Sequence, residues 1–216
     1  MRRTSIPSFL LALSIVLSAC APLQNGQTQQ SEPSVPRGKF DPPPTMPDFA
    51  LTDQDGAPFR FSSLRGKAVM LFFGYTHCPD VCPLTMAQFR VVKSTLDDDA
   101  NRTAFVMISV DGLRDVPEVM KTYVQKFDRS FIGLTGDEDS VRKIAEDYGT
   151  QFFKLTPDPT LDSSSTTIRL SMVGHTSFSY LLDTQGRKRF IYKSETPIEV
   201  IVADIRQVLR EAGVSR

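Results

Sequence analysis

AVMLFFGYTHCPDVC, residues 68–82, carries two signals in one run. Ala68 to Phe73 is an unbroken apolar stretch of strand length, the pattern of a strand buried on both faces of an α/β sheet. Gly74 to His77 then turn the chain, and Cys78-Pro79-Asp80-Val81-Cys82 opens a segment whose apolar spacing predicts a helix from about Cys82 to Leu96. A cysteine pair therefore stands where a strand ends and a helix begins. In α/β sheets, functional groups collect just outside the carboxyl ends of strands. The pair is the first candidate site.

Outward from this stretch, apolar runs alternate with helical patterns, which implies an α/β fold with a mostly parallel central sheet flanked by helices. Thr103 to Val110 is the second buried strand, Val116 to Phe127 a helix, Phe131 to Leu134 a short edge strand, and Ser140 to Tyr148 a further helix. Upstream, Phe49 to Leu51 and Phe59 to Phe61 flank Asp53-Gln54-Asp55-Gly56 and predict an N-terminal hairpin. Downstream, Asp158 to Thr166 reads as a polar loop. Ile168 to Val173, Ser177 to Leu182 and Lys188 to Tyr192 read as strands, and Ile198 to Leu209 as the closing helix. A buried strand, a cysteine pair at the next helix, and a terminal hairpin plus helix describe a thioredoxin-like order.

The chemistry of the pair follows from its spacing. Residues four apart on a helix lie on one face with Cβ atoms about 5–6 Å apart, near disulfide range and within reach of one shared metal. A helix N-terminus favours thiolate, the form that acts as nucleophile or ligand. An inert bridge closing so short a loop would restrict the unfolded chain least. The three intervening residues, where thioredoxin-type redox sites have two, move the second sulfur around the helix and weaken a purely redox reading. Thiolates with an imidazole suit Cu(I) and also accept Cu(II). Zinc would need four ligands.

There are two histidines. His77 adjoins Cys78, and neighbouring side chains diverge, so it reads as a support for the loop. His175 lies at the head of a terminal strand, where it is either a ligand brought to the cysteines or a surface residue.

The N-terminus bears on where this chemistry happens. Residues 1–19 have a basic start, a short apolar centre and small residues before Cys20, the layout of a signal peptide. Leu17-Ser18-Ala19-Cys20 resembles a bacterial lipobox, which makes Cys20 the lipid-bearing first residue of an exported protein held on the extracytoplasmic, periplasmic side of a bacterial cell membrane. Outside the cytoplasm, Cys78 and Cys82 can cycle through a disulfide. Residues 20–47 read as the lipidated cysteine and a tether rich in Pro, Gln and Ser; as flexible coil, the 27 residues from Ala21 to Pro47 would average about 30 Å end to end. Residues 48–216 then form one domain. Without Arg2 and Arg3 the chain has 23 basic against 25 acidic residues, a net charge of −2 that gives no ground for a nucleic-acid partner.

Beyond these readings, four segments stand out together: Phe72 to Pro83, Ile108-Ser109-Val110-Asp111 with Arg114-Asp115, Ile132 to Gly136, and His175-Thr176-Ser177 running into Tyr180 to Asp183. In this order they resemble the Sco (SenC) family, copper-binding assembly factors of cytochrome c oxidase. What the resemblance implies is a thioredoxin-like fold, one copper ion, Cu(I) or Cu(II), held by Cys78, Cys82 and His175, and a part in building the binuclear copper site of oxidase subunit II. Copper delivery, reduction of the target's cysteines, and a thiol-reducing partner all fall within it. Gly174 and Gly112 depart from the family pattern, which often has Asp and Pro there.

Two other classes stand beside it. A thiol:disulfide oxidoreductase would use the same Cys78 and Cys82 as its redox pair. A cysteine peroxidase fits less well, because Tyr75 stands where that pattern places Thr. Asp111 and Arg114 form a candidate loop pair near the site. Met70, Met107 and Met172 fall in strand patterns and read as core, while Met86, one turn beyond Cys82, is a methionine to test as a thioether ligand.

Overall fold

The computed structural model describes residues 37–154 and 173–214. Among them the strands are β1 (Arg37–Lys39), β2 (Ala50–Asp53), β3 (Pro58–Arg60), β4 (Ala68–Gly74), β5 (Thr103–Ser109), β6 (Ile132–Thr135), β7 (Phe152–Lys154), β8 (Val173–His175), β9 (Ser179–Leu182) and β10 (Lys188–Tyr192). The α-helices are α1 (Val81–Thr95), α2 (Pro117–Gln125), α3 (Glu138–Tyr148) and α4 (Ile198–Val214). None of the described helices is long and apolar enough to cross a membrane.

The apolar run that opened the argument is the middle of the molecule. Every residue of β4 is buried, and β4 pairs in parallel with β5 from Ala68 opposite Thr103 to Gly74 opposite Ser109. The sheet runs β1-β10-β9-β4-β5-β6-β2-β3. On one face Phe89 of α1 packs on Phe105 of β5, with ring centroids 5.6 Å apart, and α4 packs beside α1. On the other, Tyr148 of α3 meets Phe73 and Tyr180 edge-on at 5.6 and 5.4 Å. Burying each such side chain contributes about 1.5–3 kcal/mol, so the strand ahead of the cysteines is a rigid mount.

The helix ends follow local rules. Asp137 caps α3 by accepting from the Ser140 N–H at 2.9 Å, and Gly149 in the left-handed region ends it. Asp80 occupies the cap position of α1, but its side chain makes no capping bond.

The α/β class stands, with corrections in detail. The sheet is mixed instead of mostly parallel: only β4, β5 and β6 run together, because antiparallel hairpins extend it on both sides. The β6 strand is internal, since the N-terminal hairpin folds back and β2 pairs with it, Thr52 opposite Thr135. The segment read as tether up to residue 47 is in part structure. Arg37 to Lys39 pair with β10, Thr45 bridges to Arg187, and Met46 is buried. Three-residue strands in a proline-rich run leave too short a periodic pattern to read. Finally, Val173 belongs to β8, which pairs with β7 in a separate two-stranded sheet, and the next strand begins at Ser179. The signal peptide, Cys20, the first part of the tether, the loop 158–166 and residues 168–172 lie outside the described residues.

Candidate metal centre

The two cysteines come together as the spacing requires, in unequal surroundings. Cys82 lies in the first turn of α1 and is wholly buried, with its Sγ against the backbone of Gly74 at the end of β4. Cys78 precedes the helix and is half-buried. The two are not joined in a disulfide, and their side chains are hydrogen-bonded to one another. That bond and burial push the Cys82 thiol far above the ordinary thiol range. Two sulfurs in mutual contact at a helix start, one open to solvent, can hold one soft metal ion or exchange two electrons with a second thiol pair.

The loop between β4 and α1 is held by a buried carboxylate. Asp115 is fully inaccessible. Its Oδ2 accepts from the Thr76 N–H at 2.9 Å and from the Ser109 hydroxyl at 2.6 Å, and its Oδ1 accepts from the Thr76 hydroxyl at 2.6 Å. Charge-assisted bonds of this kind are roughly twice as strong as neutral ones. His77 joins the same group: its Nδ1 lies 3.0 Å from Thr76 Oγ1 and 3.5 Å from Asp115. It supports the loop, as expected.

A second clamp comes from Tyr75. Its ring is buried, and its phenol is hydrogen-bonded to the backbone of Val173 and to the side chain of Cys78. Burial raises the phenol's pKa, with charge at Cys78 and Cys82 adding to it, so it remains a hydrogen-bond donor at neutral pH. Arg114, paired with Asp111, lies over the same ring at 5.9 Å. The expected loop pair therefore exists and packs on a residue that touches Cys78.

Tyr75 ties the cysteine loop to β8, the strand that carries His175. His175 is described through its backbone alone, opposite Phe152 in the β7–β8 pair. Among the described residues no three His, Cys, Asp or Glu side chains converge as a metal site. Gly174 has a steric reason: the Phe153 ring covers it, and a Cβ would meet that ring at 2.6 Å. At Gly112 a Cβ would stand 2.0 Å from the Gly136 carbonyl oxygen. Met86 is fully buried in the core, which leaves it away from any exchange with solvent.

Sequence reasoning gave no role to Asp115, Tyr75 or Tyr123. The Tyr123 hydroxyl, on α2, is buried without a hydrogen-bond partner among the described residues. Burial raises its pKa, and charge at Cys82, Cys78 and Asp115 adds to the effect. For Asp115 the signals available were its place among the residues that carry the resemblance and its position just past an apolar strand, at the sheet end where the cysteines stand.

The chain is similar to known proteins. The family model described as SCO1/SenC matches residues 38–210. An SCO2-like protein of Rickettsia prowazekii is 34% identical over 64% of this chain and 64% of its own length. A Stutzerimonas stutzeri protein described as copper-binding is 32% identical over 76% of this chain and 79% of its own. The structure of Bradyrhizobium japonicum ScoI with copper bound superposes with a TM-score of 0.65 at 35% identity, covering 76% of this chain and 99% of that one.

Proposed function

The chain belongs to the SCO1/SenC family, and from that membership we propose that it is a copper-binding protein of cytochrome c oxidase assembly. Cys78, Cys82 and His175 hold one copper ion as cargo. The observation that carries the reading is the cysteine pair itself: two thiols in contact at a helix start, one buried and one reachable, on a loop tied through Tyr75 to the strand bearing His175. Two sulfurs and an imidazole match the preference of Cu(I) and admit Cu(II). Unequal exposure suits transfer, because an incoming ligand can displace Cys78 while Cys82 still holds the ion.

The protein is exported, lipidated at Cys20 and held at the outer side of a bacterial cell membrane, where it meets oxidase subunit II. There it passes copper to the binuclear site or prepares that site's cysteines. The second reading, a thiol:disulfide oxidoreductase, rests on the same contact. Cys78 attacks a target disulfide, Cys82 displaces it, and two electrons and two protons pass to the target as the pair becomes a disulfide. A thiol-reducing partner then resets the pair.

The test is metal content and spectroscopy of the reduced soluble domain after copper loading, beside Cys78→Ala, Cys82→Ala and His175→Ala. One equivalent bound by the wild type and lost in each cysteine variant is the expected result. Copper absent from the wild type, or bound equally by all four proteins, sinks the proposal. Loss of copper in His175→Ala with reductase activity retained shows that both roles coexist.

A further inference from the structure

Cys82 is buried, so any sulfur or metal coming from a partner protein must reach Cys78. One flank of Cys78 is already filled: the Tyr75 hydroxyl reaches Val173, and the Phe153 ring covers Gly174. Another side of the cysteine loop faces Tyr123 of α2, whose hydroxyl lies near enough to Cys78 to feel its charge. A cleft of about 430 Å³ lies there, with Thr76 and His77 on the cysteine loop as one wall and Glu118, Val119, Tyr123 and Lys126 of α2 and the residue after it as the other. Glu118 and Lys126 are eight residues apart, about 12 Å along a helix, the reach of three to four extended residues.

The lining mixes polar and apolar groups, and its polar groups are incompletely satisfied. Neither Glu118 nor Lys126 has an ion-pair partner among the described residues, whereas Lys121 on the same helix is tied to Asp55 at 2.7 Å. His77 has its Nδ1 engaged by Thr76, and the Tyr123 hydroxyl has no hydrogen-bond partner among the described residues. Opposite charges at the two ends of a short cleft beside a reachable thiol are a charge pattern that a second chain can match in one direction only.

We propose that this cleft seats the partner's polypeptide: an extended segment of three to four residues flanking a cysteine, with an acidic residue at the Lys126 end and a basic one at the Glu118 end. The proposal rests on the reading of Cys78 as the exchanging thiol. It adds the side from which the partner approaches and the charge order it carries.

The probes are short synthetic peptides with one cysteine blocked as a mixed disulfide with 2-thiopyridine, flanked by Asp and Lys in either order or by Ser alone. The Cys78 thiolate attacks the peptide sulfur, the bond to thiopyridine breaks, and thiopyridone leaves with the electron pair and is read by its absorbance. Cys82→Ser stops the reaction at the Cys78–peptide disulfide. Each rate is divided by the rate with the small neutral reagent 2,2′-dithiodipyridine.

In this ratio one of the two charge orders should exceed the serine peptide, and Lys126→Glu or Glu118→Lys should each lower that preference about three- to fivefold. The double exchange should reverse it, favouring the other order. Ratios that are the same for all peptides and variants overturn the cleft while leaving Cys78 as the working thiol. Failure of Cys78 to react even with the neutral reagent, together with no copper uptake, overturns the functional reading beneath it and the cleft with it.

Discussion

At the scale of single residues, the site is a pair of thiols whose difference is made by their neighbours. Cys82 is sealed against Gly74 and bonded to Cys78, while Cys78 is half-open. Alkylation of the reduced native protein should therefore mark Cys78 first, and Cys82 only on unfolding. Peptide mapping that found Cys82 modified first would contradict this order. Asp115 has the larger structural role. Asp115→Ala would strand the Thr76 N–H and the Ser109 hydroxyl, and with charged bonds worth about 1.5–3 kcal/mol each a loss of at least about 3 kcal/mol is expected in denaturant unfolding. The cysteine pair and His175 stood out in the sequence as candidates, because cysteine and histidine are rare and chemically specific. The role of Asp115 did not, because a carboxylate's value here comes from three bonds to residues 6 and 39 positions away.

At the scale of elements, the docking of α4 onto β10 has a pH signature. Arg189, on β10, donates to Glu211 at 2.6 Å, and Gln207 adds a bond at 2.9 Å. These hold the Glu211 carboxyl below its usual range, with the Arg189 bond the largest cause. A depressed folded pKa means the stabilisation is complete above the unfolded value of about 4.3 and is lost as pH falls through the folded one. Glu211→Gln should flatten the acid limb of the stability curve between about pH 5 and pH 3. Because Glu211 is partly exposed, the difference should stay below about 1 kcal/mol. Long elements with strong periodicity, β4, β5, α1 and α3, were legible. Three-residue strands such as β1, β7 and β8 were not, since alternation over three residues is indistinguishable from loop.

At the scale of the whole molecule, the domain starts earlier than its apolar pattern suggests. Arg37 pairs with Asp204 and lies over Phe190, Phe40 covers the buried Lys188 at 4.7 Å, and Met46 is in the core. A chain beginning at Asp48 should melt about 10 °C below one beginning at Ser34, since each lost kcal/mol lowers the midpoint by about 2–4 °C at this size. Equal midpoints would return residues 37–47 to the tether. By itself the sequence determined the α/β class and the cysteine pair at a strand end, because these depend on local pattern and residue chemistry. The tertiary structure alone decided which strands run parallel, which cysteine is buried, and that Asp115 and Tyr75 fasten the cysteine loop, Tyr75 to the strand of His175. Those depend on contacts between residues far apart in the chain, whose free energy is settled only when the sheet assembles.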